Sequence, residues 1–163
     1  MDKQMKKGMT IVELVIVIAI ISILMSFAYS WIRSFILRER LREAAYDIKS
    51  QLDDLRMRSY TGNVSWCVRI NNNANSYEIR NRDFTDCGSQ GNLVNTINLP
   101  PGVRFGRDVF LCFSRMGYPV NNVCGFGADR IVLTDDLNRN SVICINRYGR
   151  ITVLHDTDQC PGG

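Results

Sequence analysis

Residues 14–32 form an uncharged run of 19 residues, and no other feature restricts the fold of this chain as much. Leu, Ile and Val dominate the run, and its polar breaks are Ser22, Ser26, Ser30 and the phenol of Tyr29. A helix needs about 20 residues to cross a hydrocarbon core of roughly 30 Å, and nothing here forces a break before Ile32. Lys3, Lys6 and Lys7 precede the run, so the N-terminus is expected to stay on the cytoplasmic side. Glu13 sits at the mouth of the run, where a carboxylate in hydrocarbon is costly and points to function. A secretory signal would be cut after its apolar region at a small-residue site. Nothing like Ala-x-Ala follows Phe27, so the run reads as retained. A single-pass anchor with an interfacial Glu is the plainer alternative.

With about 30 of 163 residues spent on this N-terminal part, one globular domain of ordinary size remains. Net charge is +4, and Lys3, Lys6 and Lys7 against Asp2 supply +2 of it. From Thr61 onward, ten Arg face nine acidic residues, so the domain is almost neutral and bulk charge does not favour nucleic acid. Cysteines stand at Cys67, Cys87, Cys112, Cys124, Cys144 and Cys160, with no Cys-x-x-Cys and with His155 as the one His. That pattern argues against a zinc site, and an even count beyond an anchor reads as a disulfide set. Sequence cannot choose among the connectivities. Short loops favour Cys67–Cys87, Cys112–Cys124 and Cys144–Cys160, with buried free thiols as the alternative. No nucleophile elbow, P-loop, metal-helix motif or dinucleotide turn is present, so no enzyme, cofactor or metal is read here. Asp135-Asp136 falls in a turn, where Asp is favoured for its own sake; the same plain reading covers Asp156 and Asp158 against calcium. His155 is expected to pack near the C-terminal disulfide.

Beyond Arg33 the helical pattern turns amphipathic. Leu37, Leu41, Ala44, Ile48, Leu52 and Leu55 recur at three and four, and the intervening positions are charged. No Pro or Gly occurs in residues 9–61, and Gly62-Asn63 supplies a stop. The three serines, four apart, share one face and would allow close helix approach, unless they bond their own backbone. After Gly62 the period becomes two. Strands are expected at 64–70, 76–82, 93–99, 103–105, 109–114, 130–134, 141–147 and 151–155, with a loop at 116–128. The fold class is therefore α+β, a long N-terminal helix laid on an antiparallel sheet.

The stretch Lys6-Lys7-Gly8-Met9-Thr10-Ile11-Val12-Glu13, running into the apolar segment, resembles the class III leader of type IV prepilins. That resemblance implies a prepilin peptidase cut between Gly8 and Met9, methylation of the new Met9 amine, and Glu13 as the fifth mature residue. Met9 stands where the family usually has Phe, and Ser30 where many members have Pro. A neighbouring subunit's Met9 amine could neutralise Glu13, so the charge would be satisfied only on assembly.

Phe113-Ser114-Arg115-Met116-Gly117, the strand Arg130-Ile131-Val132-Leu133, and Ile143-Cys144-Ile145-Asn146 leading to Tyr148-Gly149-Arg150-Ile151 resemble minor pilins and pseudopilins of the FimT/GspH group. The implied organisation is a leader at 1–8, a transmembrane and filament-core helix at 9–32, an amphipathic half at 33–62, and a disulfide-bonded β-rich domain at 63–163. The implied role is a structural minor pilin of a type IV pilus, active in initiation or the tip complex. Its partners would be other pilins, the prepilin peptidase, an inner-membrane assembly platform and the bacterial inner membrane before assembly. A minor pseudopilin of a type II secretion system has the same architecture. A DNA receptor for transformation is a third reading, with Arg139, Arg147 and Arg150 as candidate contacts in the final hairpins. There the family places Gly-Arg-x-Arg, and Gly149-Arg150-Ile151-Thr152 lacks the second Arg, so DNA is not favoured.

Overall fold

The structure is a computed structural model that describes residues 10–161, the side chain of Phe27 excepted. The expected processing positions Gly8 and Met9 lie outside the described residues. Helix α1 runs Ile11–Thr61, and the chain divides into two units at the Ile36–Leu37 step. The helix stops where Gly62 is met: the Gly62 amide donates to the Arg58 carbonyl at 2.8 Å. A β-carbon on Gly62 would lie 2.8 Å from that same oxygen.

In the second unit the expected stripe is the buried one. Leu37, Leu41, Ala44, Ile48, Leu52 and Leu55 are all buried, together with Ala45 and Ser59. Among the described residues nine strands follow: β1 (Ser65–Asn71), β2 (Ser76–Arg82), β3 (Asn92–Asn98), β4 (Val103–Phe105), β5 (Val109–Phe113), β6 (Pro119–Val120), β7 (Asp129–Asp135), β8 (Asn140–Ile145) and β9 (Ile151–His155). They sort into two antiparallel sheets, in the orders β3-β2-β1-β5-β6 and β4-β7-β8-β9. One core joins the helix stripe to the inward residues of both, among them Val68, Ile79, Phe113, Ile131, Leu133, Ile143 and Ile145. Alternation along each strand places these side chains on one face.

The 116–128 stretch, expected as loop, contains β6 and a bridge from Val120 to Phe126. Strand β8 ends at Ile145 rather than 147, because Asn146 Oδ1 accepts from the Tyr148 and Arg150 amides and organises a turn.

The cysteine pairing differs from the short-loop expectation in two of three bridges. Cys67 pairs with Cys112 and Cys87 with Cys124, while Cys144–Cys160 is as expected. The reason is strand order. β5 docks directly on β1, so Cys67 and Cys112 stand opposite in register with Cα atoms 3.9 Å apart. Cys87 and Cys124 meet because Arg82 gathers their two loops. Its guanidinium, on a residue only 4% exposed, donates to the carbonyls of Ser89 (2.9 Å), Asn121 (3.2 Å) and Asn122 (3.3 Å). Burial lowers the pKa of Arg82, against the pull of Asp86.

Candidate functional site

The N-terminal half of α1 is the candidate site, and Thr10 starts it. The Thr10 carbonyl accepts from the Leu14 amide at 3.1 Å, and its hydroxyl accepts from the Glu13 amide at 3.3 Å. Thr10 is thus the N-cap and Glu13 the third helical residue, the spacing of a capping box. A carboxylate in the first turn also meets the positive end of the helix dipole. Thr10 thereby holds Glu13 at the helix mouth, as the sequence places it.

As far as Ile32, the described side chains of this half are exposed on every side. Ile11, Val12, Leu14, Val15, Trp31 and Phe35 are among the large apolar side chains left uncovered. By length and composition this helix can cross a membrane. A helix apolar all round needs lipid or other helices for cover. The serines serve the backbone: Ser22 Oγ donates to the Ile18 carbonyl at 2.8 Å and Ser26 Oγ to the Ser22 carbonyl at 3.0 Å. Ser22 and Ser26 thus bond their own backbone, which satisfies hydroxyl donors that hydrocarbon could not. Trp31 stacks on Phe35 at 6.3 Å near the end of the apolar run, a place where aromatic rings suit a membrane–water boundary.

The basic candidates are not brought together. Arg139 precedes β8, whereas Arg147 and Arg150 follow it, so the length of a strand separates them. Six strand residues at about 3.3 Å each keep Arg139 roughly 20 Å from the others. Arg139 is also committed. Its Nε lies 2.7 Å from Asp135 Oδ2 and its terminal nitrogen 2.7 Å from the same oxygen, and Asp135 is wholly buried. Asp135 Oδ1 accepts the Leu137 and Arg139 amides at 2.9 Å each, so this carboxylate is used up in closing its turn. His155, expected only near the disulfide, has defined partners: Ser141 Oγ at 2.9 Å from Nδ1 and the Tyr46 ring at 5.8 Å.

Two arginines that sequence reasoning passed over hold the domain together. Arg82 has been described. Arg56 Nε donates to the Gly117 carbonyl at 3.1 Å and its terminal nitrogen to the Tyr148 carbonyl at 3.5 Å. One helix side chain therefore ties a turn from each sheet. Their targets are backbone carbonyls, which no side-chain pattern announces.

Residues 3–29 match the family described as the prokaryotic N-terminal methylation motif. Among curated proteins, none matches the chain in sequence. In structure, the chain is similar to the minor pseudopilin EpsH from the type 2 secretion system of Vibrio cholerae. The TM-score is 0.52 at 11% identity, over 71% of this chain and 97% of that one. It is similar also to the type IV minor pilin FimU of Pseudomonas aeruginosa, with TM-score 0.55 at 13% identity, over 72% and 90% of the two chains.

Proposed function

We propose that this chain, type IV pilin-like in its methylation motif and its fold, is a structural minor pilin that enters a type IV pilus, in its initiation or tip complex. The observation that carries the reading is Glu13, the one charge between Thr10 and Arg33 on a helix apolar on every face. In a lone subunit that carboxylate sits at the membrane mouth without profit. Beside a second subunit's Met9 amine it becomes half of an ion pair, and an unpaired charge in such surroundings costs several kcal/mol. Docking in register is thereby favoured.

On this reading prepilin peptidase removes residues 1–8 at Gly8 and methylates Met9. Residues 9–32 hold the chain in the bacterial inner membrane and later pack in the filament core, residues 33–62 are the amphipathic half, and the disulfide-bonded domain from residue 63 is exported. Partners are other pilins along α1 and an inner-membrane assembly platform; the role is mechanical assembly rather than catalysis. Intact mass of the mature protein tests the reading. A chain beginning at methylated Met9 is expected, and one that still begins at Met1, or begins after Phe27, would overturn it.

The minor pseudopilin of a type II secretion system remains the second reading, because the fold is about as similar to EpsH as to FimU. Recovery in sheared pili, against loss of secretion with normal pili, separates the two machines. A DNA receptor is disfavoured by the commitment of Arg139 to Asp135 and by its separation from Arg147 and Arg150.

A further inference from the structure

On the outer face of the four-stranded sheet lies a groove of about 710 Å³, with Arg107, Arg130 and Arg150 along its lining. Arg130, Cys144 and Thr152 are consecutive register partners across β7, β8 and β9, so they form one row of its floor. Leu154 lies two residues beyond Thr152 on the same face, and the Cys144–Cys160 bridge brings the C-terminal strap over as a wall. Leu154 and the disulfide thus give the groove an apolar patch, with Arg130, Arg150 and Arg107 supplying cations beside it. Gln159 and Asn146 add amide groups that can meet a backbone.

The charge balance within the groove is uneven. Arg107 is paired with the carboxylate of Asp129, the one acidic residue of the lining, and also donates to the Arg130 carbonyl. The Arg130 amide donates to Asp129 Oδ1 at 2.7 Å, but its guanidinium bonds, among the described residues, a neutral group, the Asp158 carbonyl at 2.9 Å. The Arg150 amide is held by Asn146, but its exposed guanidinium has no partner among the described residues. Two cations therefore face the groove without a compensating carboxylate.

We infer that this groove binds an extended acidic peptide segment of another protein, with carboxylates on Arg150 and Arg130 and an apolar side chain over Leu154 and the disulfide. Guanidinium pairs carboxylates through parallel hydrogen bonds, and a concave apolar site with few placed polar groups suits a short segment. In an extended chain, alternate residues share a face, so an acidic–apolar alternation presents both chemistries at once. A nucleic acid fits less well. Duplex binding grows with the number of phosphates neutralised across a broad surface, whereas these cations converge on an apolar cleft, and Arg147 is not part of its lining. The inference concerns the domain alone and stands whether or not the assembly reading holds.

The test uses the full chain in detergent micelles and a fluorescein-labelled peptide of alternating Glu and Leu, read by anisotropy. Saturable binding is expected, with the Lys–Leu counterpart not bound. Arg150→Glu should weaken the affinity about tenfold or more while leaving the thermal melt unchanged, since the guanidinium supports no described contact. Thr152→Trp, which fills the floor without altering charge, should abolish binding. Absence of saturable binding, an affinity unchanged from the unaltered chain in either variant, or tighter capture of a short duplex that displaces the peptide would each overturn the inference.

Discussion

At Gly149 an added methyl group would lie 2.4 Å from the Gly117 carbonyl oxygen, on a backbone with φ of +78°. At Gly88 the backbone is similarly left-handed, φ +92°, yet nothing lies within 4 Å. The two glycines separate conformational strain from collision. Gly88→Ala should cost about 1–2 kcal/mol, the left-handed penalty alone. Gly149→Ala should cost more, because the turn must also retreat from Gly117 and Arg56; denaturant midpoints of the two variants give the difference. His155 makes a second prediction at this scale. Desolvation, then Arg42, lowers its pKa below the ordinary value near 6.5, with Asp156 opposing. The unfolded chain therefore takes up a proton before the folded one does. The contribution of this group is intact above about pH 6.5 and is lost as pH falls from there toward the lowered folded value. The fall in melting temperature between neutral and mildly acid pH should be shallower in His155→Gln than in the unaltered chain.

Among the elements, Arg82 bears most directly on how the first sheet is closed. Arg82→Met keeps bulk but removes the guanidinium donor from the Ser89 and Asn121 carbonyls and leaves Asn122 with the Gly88 amide alone, and it should destabilise the domain by about 2–4 kcal/mol. The Cys87–Cys124 bridge should then become the main tie between those loops, and disulfide mapping of the variant checks that it persists. Loss of Cys144–Cys160 should cost about 3 kcal/mol in the loop-closure account, read from the melt of Cys144→Ala/Cys160→Ala. What could be read from sequence at this scale follows the range of the interaction. The buried stripe of α1 and the β1–β2 hairpin rest on residues a few positions apart, and periodicity reveals them. The docking of β5 on β1 brings together residues 45 apart, and no local pattern records it, so loop length alone points Cys67 and Cys112 to the wrong partners. β6 is two residues long and too short to show a period. Glu13 was legible because one charge interrupts an apolar run, while the cationic groove was not, because Arg107, Arg130 and Arg150 become neighbours only through the sheet.

For the whole molecule, the assembly reading turns on one carboxylate. Glu13→Ala should still insert in the membrane, as the helix becomes only more apolar, yet it should be missing from sheared filaments; immunoblots of the two fractions decide, and normal incorporation would count against the ion-pair mechanism. Duplex DNA should bind weakly, at about 10⁻⁴–10⁻⁶ M or poorer at physiological salt. A gel shift at low and physiological salt checks this, and tight, salt-resistant binding lost in Arg147→Ala/Arg150→Ala would contradict it. The Arg56 clasp has a mechanical consequence for a subunit held by its helix. Tension on the 37–61 segment reaches the Gly117 turn and the Tyr148 turn together, and Ser59 Oγ passes a share to β1 through the Trp66 amide at 2.9 Å. The load is spread as shear over two sheets instead of unzipping one from its end. Once the clasp yields, Cys67–Cys112 and Cys144–Cys160 keep the chain between each pair out of the stretch. Optical-tweezer traces should therefore show a single high-force rupture that Arg56→Ala lowers, followed by a short extension that lengthens only when reductant is added.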